Sequence, residues 1–266
     1  MKPIIASICL LFCFSEVAFA FAKPKKPSSW NKNVVVAHRG AWKTKNLPEN
    51  SIASLKEAIR LGCHGSEFDV HMTKDGILVV NHNADFLGMQ IEQSTYKELL
   101  AKKLSNGESI PTAEEYLKAG IKQKGTRLVF EIKPTKTGKA GDIAIADKCV
   151  ALVKKLKAEA WVDYISFSWD TMLRLKEIAP DAHMAYLKGD KSLEELKAAK
   201  MSGADYQYKV YKKGNWFEEA KKLGLTMNAW TVNDAVEMDW LLKNNVEFIT
   251  TNEPELLFER IAANKK

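Results

Sequence analysis

Short β-rich runs alternate with helical patterns along almost the whole of this 266-residue chain, and no other feature restricts its fold as much. The runs fall at residues 34–37, 66–71, 127–132, 164–167, 183–187, 205–208, 225–230 and 248–250. Between them the apolar spacing predicts helices, most clearly over 51–61. There Ile52, Leu55, Ala58 and Ile59 share one face, Asn50 or Ser51 caps the start and Gly62 ends it. The other helical patterns lie near Ala113, Ile143, Thr171, Leu193, Trp216, Ala235 and Pro254. This alternation fits a single closed (β/α)8 barrel of the α/β class better than an open doubly wound sheet. It breaks once: between the second strand and its helix, residues 73–111 hold a short extra strand at 78–81 and polar loop material. Long loops at the top of such a barrel usually build the site.

Residues 1–20 read as a secretory signal, with Lys2 at the start, an apolar run over 4–14 and Ala18-Phe19-Ala20 as the cleavage pattern. Cleavage after Ala22 fits nearly as well. The run is too short to span a bilayer, and Cys13 follows Phe12 rather than the small residue that precedes a lipidated cysteine. The expected protein is therefore exported, to a bacterial periplasm or beyond, with a polar linker over 23–33 and a barrel over 34–266. Cys9 and Cys13 depart with the signal. Cys63 and Cys149 then form at most one bridge, so the core must be hydrophobic rather than disulfide-stapled. The leader removes Lys2 and Glu16 together, so the formal charge of +7 survives cleavage. That excess sits in lysine-rich helical patterns at 148–157 and 191–200, which reads as a solvated face. No aromatic-plus-basic motif points to nucleic acid, and the few apolar residues of 83–94 (Phe86, Leu87, Met89, Ile91) make no extended membrane anchor.

Two strands carry unusual charge. In "SEFDVHMT" a period of two sets Glu67, Asp69 and His71 on one side and Phe68, Val70 and Met72 on the other; in "RLVFEIKP" it separates Glu131 and Lys133 from Leu128, Phe130 and Ile132. If the apolar sides pack on helices, three carboxylates and one ammonium point into the barrel. At about 4 Å each carboxylate pair repels by roughly 4 kcal/mol at an effective dielectric of about 20. Lys133 alone leaves the cluster negative, so a hard dication completes it, and an all-oxygen ligand set selects Mg²⁺ or Ca²⁺. The competing reading is an ion-pair network with no metal.

His38 ends the first strand and His82 ends the extra one, "LVVNH", which brings both to the top of the barrel. Two imidazoles beside a metal can serve as base and acid on opposite sides of a reacting centre. Arg39 forks onto oxyanions, and with Lys133 and a dication it makes a phosphate pocket. Glu49 is its expected orienting partner. His71 has the right parity but reads as filler, and His64 and His183 read as structural.

These residues belong to a longer series: "AHRG" with "PENS", "EFDVHMTKDGILVVNH", "FEIKP", "NAWTVN" and "ITTNEP", in that order from residue 37 to 254. The series resembles the glycerophosphodiester phosphodiesterase family. The resemblance implies a TIM barrel that hydrolyses glycerophosphodiesters to glycerol 3-phosphate and an alcohol with one bound Mg²⁺ or Ca²⁺. It implies Glu67, Asp69 and Glu131 as metal ligands, His38 and His82 as the acid/base pair, Arg39 and Lys133 on phosphate, and Trp230 near substrate. We assign His38 as base and His82 as acid. Two positions depart from the family pattern: Asn83 and Asn252 stand where aspartates are common, keeping hydrogen-bonding shape without the charge. Two rival readings share the scaffold. One is a phospholipase-like lyase that acts through a cyclic phosphate on phosphoinositol or lysolipid substrates; the other is a non-catalytic exported phosphodiester-binding protein.

Overall fold

The computed structural model describes residues 30–264; the leader read over 1–20 and the linker up to residue 29 lie outside the described residues. In chain order the strands are β1 (Val35–Ala37), β2 (Gly65–Met72), β3 (Leu78–Val80), β4 (Asp85–Phe86), β5 (Met89–Gln90) and β6 (Arg127–Ile132). They continue with β7 (Val162–Ser166), β8 (Met184–Tyr186), β9 (Gly203–Gln207), β10 (Thr226–Trp230) and β11 (Phe248–Thr251). The helices are α1 (Ile52–Leu61), α2 (Tyr96–Leu99), α3 (Ala113–Gly120), α4 (Lys139–Lys155) and α5 (Trp169–Ile178). After them come α6 (Leu193–Ala198), α7 (Tyr208–Tyr211), α8 (Trp216–Leu223), α9 (Ala235–Lys243) and α10 (Pro254–Ala263).

The order β1-β2-β6-β7-β8-β9-β10-β11 closes on itself, because β1 pairs in parallel with both β2 and β11. The ring is the (β/α)8 barrel, and β3 hangs antiparallel on the far end of β2. Strand parity works as the alternation requires. Phe68, Val70, Phe130 and Ile132 pack outward into the helical layer, while Val36, Val129, Ile165, Ala185 and Leu187 form a small apolar cluster inside. Helix α1 begins at Ser51, whose side chain accepts from Ser54 N–H, and stops at Gly62 in the left-handed conformation (φ 75°).

Three expectations need correction. Residues 30–33 are not free linker: Asn31 N–H donates to Gly125 O at 2.8 Å, its amide donates to Cys63 O at 3.1 Å, and Asn33 donates to Gly62 O at 2.9 Å. Residues 73–111 are more than polar loop. Val79, Phe86, Ile91, Leu99 and Ile110 make a separate core there, and Thr95 starts α2 with a reciprocal capping box. The sixth barrel strand stops at Gln207, because Gln207 Oε1 accepts from Lys209 N–H and turns Tyr208 into α7. Cys63 and Cys149 are both buried and unbridged. His64 stacks on Phe248 and donates to Asn31 O, and His183 bonds Thr226 Oγ1, so both are structural as read. No helix among the described residues is long and apolar enough to cross a membrane.

Candidate active site

The carboxyl ends of the strands surround a cavity of about 110 Å³. One side of it is polar, built from His38, Arg39, Glu67, His82, Glu131 and Lys133; the other side is Ile165, Phe167, Leu187 and Trp230, with Asp205 and Thr250 deeper in the barrel wall. Every residue singled out for chemistry except Asp69 and Glu49 lines it, and those two hold residues that do.

Glu67, Asp69 and Glu131 each offer an oxygen within 4.8 Å of the others, and all three are buried. The backbone brings them together directly, since the β2/β6 register sets Asp69 beside Glu131. Lys133 Nζ sits 2.6 Å from Asp69 and 2.7 Å from Glu131. Burial, then the charges of Asp69 and Glu131, pushes the Glu67 carboxyl far above the carboxylate range; burial, then Asp69, does the same to Glu131. Burial opposes ionisation of Asp69 as well, but the Lys133 ammonium and hydrogen bonds from Lys133 and Asn50 outweigh it and hold this carboxyl low. Glu67 Oε2 accepts from Arg39 N–H at 2.8 Å, whereas Glu67 Oε1 is buried with no donor. One lysine therefore leaves the cluster under-compensated with an orphan oxygen, and a hard dication fits the donor set.

Arg39 and Gly40 make the turn after β1, both at positive φ (59° and 80°). That turn aims the Arg39 backbone N–H at Glu67 and its guanidinium at Glu49, with Nη1 at 2.9 and 2.8 Å from the two carboxylate oxygens. Glu49 therefore orients Arg39, and Arg39 Nε lies 3.8 Å from Asp69.

His38 Nδ1 meets Asn252 Oδ1 at 2.7 Å, and His82 Nδ1 meets Asn83 Oδ1 at 2.9 Å. An amide oxygen only accepts, so each neutral ring carries its proton on Nδ1 and keeps the Nε2 lone pair free. Burial, then the Arg39 charge, lowers His38 to about 4. Burial also leads the downward shift of His82. The His71 ring donates to the His82 carbonyl at 3.2 Å, a tie across the β2/β3 ladder that parity alone did not reveal.

A model of the glycerophosphoryl diester phosphodiesterase family matches residues 38–256. The chain belongs to this family. A glycerophosphodiester phosphodiesterase of Caldanaerobacter subterraneus subsp. tengcongensis is 30% identical over 86% of this chain and 98% of its own. The crystal structure of a glycerophosphodiester phosphodiesterase from Parabacteroides distasonis superposes with a TM-score of 0.85 at 40% identity, covering 89% of this chain and all of that one. An Oleispira antarctica phosphodiesterase, solved in complex with the product sn-glycerol-3-phosphate, shares the fold with a TM-score of 0.74 at 21% identity, over 86% and 97% of the two chains.

The chain is thus a phosphoric diester hydrolase of the glycerophosphodiester phosphodiesterase class. Several residues that support its site escaped sequence reasoning. Asn50, offered there as a cap, instead brackets Asp69: its amide donates to Asp69 Oδ2 at 2.7 Å and accepts from Asp69 N–H at 3.1 Å. Asn233, the last residue of "NAWTVN", accepts from the Asn252 N–H at 2.9 Å and so fixes the amide that holds His38. Trp230 lines the cavity as expected, edge-on to Phe167, with Nε1–H donating to Asp205 O at 2.7 Å.

Gly40 cannot be replaced cheaply in this family member. A Cβ there would lie 2.5 to 2.7 Å from Ser54 side-chain and backbone atoms, whereas a Cβ at Gly88, also at positive φ, meets nothing within 4 Å. Gly88→Ala should show only the left-handed penalty of about 1–2 kcal/mol. Gly40→Ala should add overpacking of about 1–3 kcal/mol, lowering the melting temperature by several further degrees. Equal melting temperatures for the two variants would contradict the crowding argument.

Proposed function

We propose that this chain hydrolyses glycerophosphodiesters to glycerol 3-phosphate and a free alcohol by a metal-dependent, two-histidine mechanism. The observation that carries the proposal is the convergence on one cavity of an under-compensated carboxylate triad, an arginine, a lysine and two imidazoles with free Nε2 atoms. The product bound to the Oleispira antarctica phosphodiesterase is of the same chemical class.

The diester phosphate lies against Arg39 and Lys133, which bind its oxygens and hold it in line. Glu67, Asp69 and Glu131 would hold a Mg²⁺ or Ca²⁺ ion, which when bound withdraws charge from phosphorus. His38 Nε2 takes the proton of the nucleophile, either water or the hydroxyl neighbouring the ester; in the second case a cyclic phosphate forms, and water opens it in a second step with the proton-transfer roles of the two imidazoles reversed. As the new P–O bond forms and the old one breaks, His82 gives an Nε2 proton to the departing alkoxide; it acts in the form protonated on both ring nitrogens, which burial makes the minority form at neutral pH and the stronger acid. Burial, and after it the Arg39 charge, keeps His38 neutral, so the base is ready at neutral pH. The leader read from the sequence over residues 1–20 supports a location outside the cytoplasm for this reaction.

Phosphorus NMR on glycerophosphocholine, glycerophosphoethanolamine and glycerophosphoinositol, with and without chelator, tests the proposal. Glycerol 3-phosphate should accumulate only without chelator, and intact cells should convert externally added diester. A persistent cyclic phosphate would replace hydrolysis by the lyase reaction. Tight binding with no turnover would make the protein a binder.

A further inference from the structure

Asp205 is the one carboxylate lining the cavity, among the described residues, that the mechanism above leaves idle. It sits on β9, four strands from β2 in either direction around the barrel, and so directly across from Glu67 and Asp69. Its Oδ2 is engaged: Asn228 donates to it at 3.0 Å and is itself tied to Thr250 Oγ1 at 2.9 Å. Its Oδ1 is buried with no donor, and the side chain is 1% exposed. No lysine or arginine pairs with it among the described residues.

A buried carboxylate oxygen without a donor costs about 1–3 kcal/mol or more, and such a group persists where a ligand completes it. The surroundings specify the donor. Leu187, Phe167 and Trp230 give the neighbouring wall an apolar face, and Trp230 is pinned there by its bond to the Asp205 backbone carbonyl. A phosphate is repelled from this carboxylate and drawn to the Arg39 and Lys133 cations on the opposite wall. What remains is a short carbon chain that ends in a neutral hydroxyl.

Resting on the hydrolase reading, we propose that Asp205 is a specificity residue: its Oδ1 accepts a hydrogen bond from the terminal hydroxyl of the bound glyceryl group, the one farthest from phosphate. The anionic end of the substrate then lies on the β2 and β6 side and the hydroxyl end at β9, which orients the diester before reaction. The residue selects glyceryl esters over esters of plain alkyl alcohols.

The test compares glycerophosphocholine with the phosphocholine diester of propane-1,2-diol joined through its primary carbon. That analogue keeps the hydroxyl beside the ester and lacks only the terminal one. Burial raises the Asp205 carboxyl to about 7, so the comparison is made at about pH 8.5, where it is ionised; there kcat/KM of the native enzyme should favour the glyceryl ester by about 10- to 100-fold, the range of a charge-assisted hydrogen bond. In Asp205→Ala the preference should shrink to within about threefold, through loss on the glyceryl ester alone. Asp205→Asn keeps the bond from Asn228 and the side-chain shape but turns an amide N–H toward the hydroxyl, exchanging the charge-assisted bond for a neutral one, so the preference should fall to a value between native and Asp205→Ala in a protein that melts normally. A smaller cavity of about 30 Å³ also touches Asp205 from below, and one water there would satisfy Oδ1 just as well. In that case the native enzyme shows no preference, or the preference survives both substitutions, and either result overturns the inference alone. Turnover of neither ester by the native enzyme overturns the hydrolase reading, and this inference with it.

Discussion

His38→Ala and His82→Ala are each expected to lower kcat by about 10²- to 10⁴-fold, the usual contribution of a positioned proton-transfer group. The fold should survive, because neither ring belongs to the apolar clusters. Losing His38 leaves Asn252 Oδ1 without its partner, a stability cost of about 1 kcal/mol. Activity within a few-fold of native in both variants would end the two-histidine proposal. The asparagines behind the rings also allow the roles to be assigned. A carboxylate beside an imidazole favours its charged form and raises its pKa. If His38 is the base, it must be neutral to act, and Asn252→Asp moves the acid limb of the pH–rate profile to higher pH. If His82 is the acid, it must be protonated to act, and Asn83→Asp moves the alkaline limb to higher pH. The opposite pairing of variants and limbs would exchange the two roles.

Chelation is expected to cut turnover on the order of 10³-fold, with recovery on adding Mg²⁺ or Ca²⁺, because a bound ion contributes several kcal/mol of charge stabilisation to phosphoryl transfer. Glu131→Gln should produce a similar loss without chelator. The same electrostatics gives a second signature. Burial and mutual repulsion raise Glu67 and Glu131 in the ion-free site, so protons compete with the cation for these oxygens. Cation affinity should therefore rise with pH across the neutral range, and binding should release protons measurable by calorimetry in buffers of different ionisation enthalpy. Full activity in chelator together with a near-native Glu131→Gln enzyme would leave the triad as an ion-pair network around Lys133.

The strand positions and the acidic triad were readable from the sequence because a buried strand writes its two faces at alternate residues. Glu67, Asp69 and Glu131 fall opposite Phe68, Val70 and Phe130, and closure of the barrel needs nothing more to gather them. What could not be read arises where contact depends on the closed ring or on a local contest. Asn252 lies 214 residues from His38, a separation that only the β1/β11 pairing removes. Asn50 and Ser51 are equally good caps in isolation; Ser51 takes the cap, and Asn50, at a φ of 56°, turns toward Asp69 instead. Tyr208 favours a strand by type, yet the Gln207 side chain captures the next turn for α7. Asp205 opens a strand run with no periodic partner to mark it, and its orphan oxygen exists only in three dimensions.

The separate core of residues 79–110 has a consequence for how substrate range can change. His38 stands on the barrel wall, but His82 rides on a ledge filled by Phe86, Ile91, Leu99 and Ile110, with Leu87 exposed at its outer edge. Because His82 carries this ledge to the edge of the cavity, insertions, exchanges or grafts there can reshape one side of the site while leaving the carboxylate wall of β2 and β6 untouched.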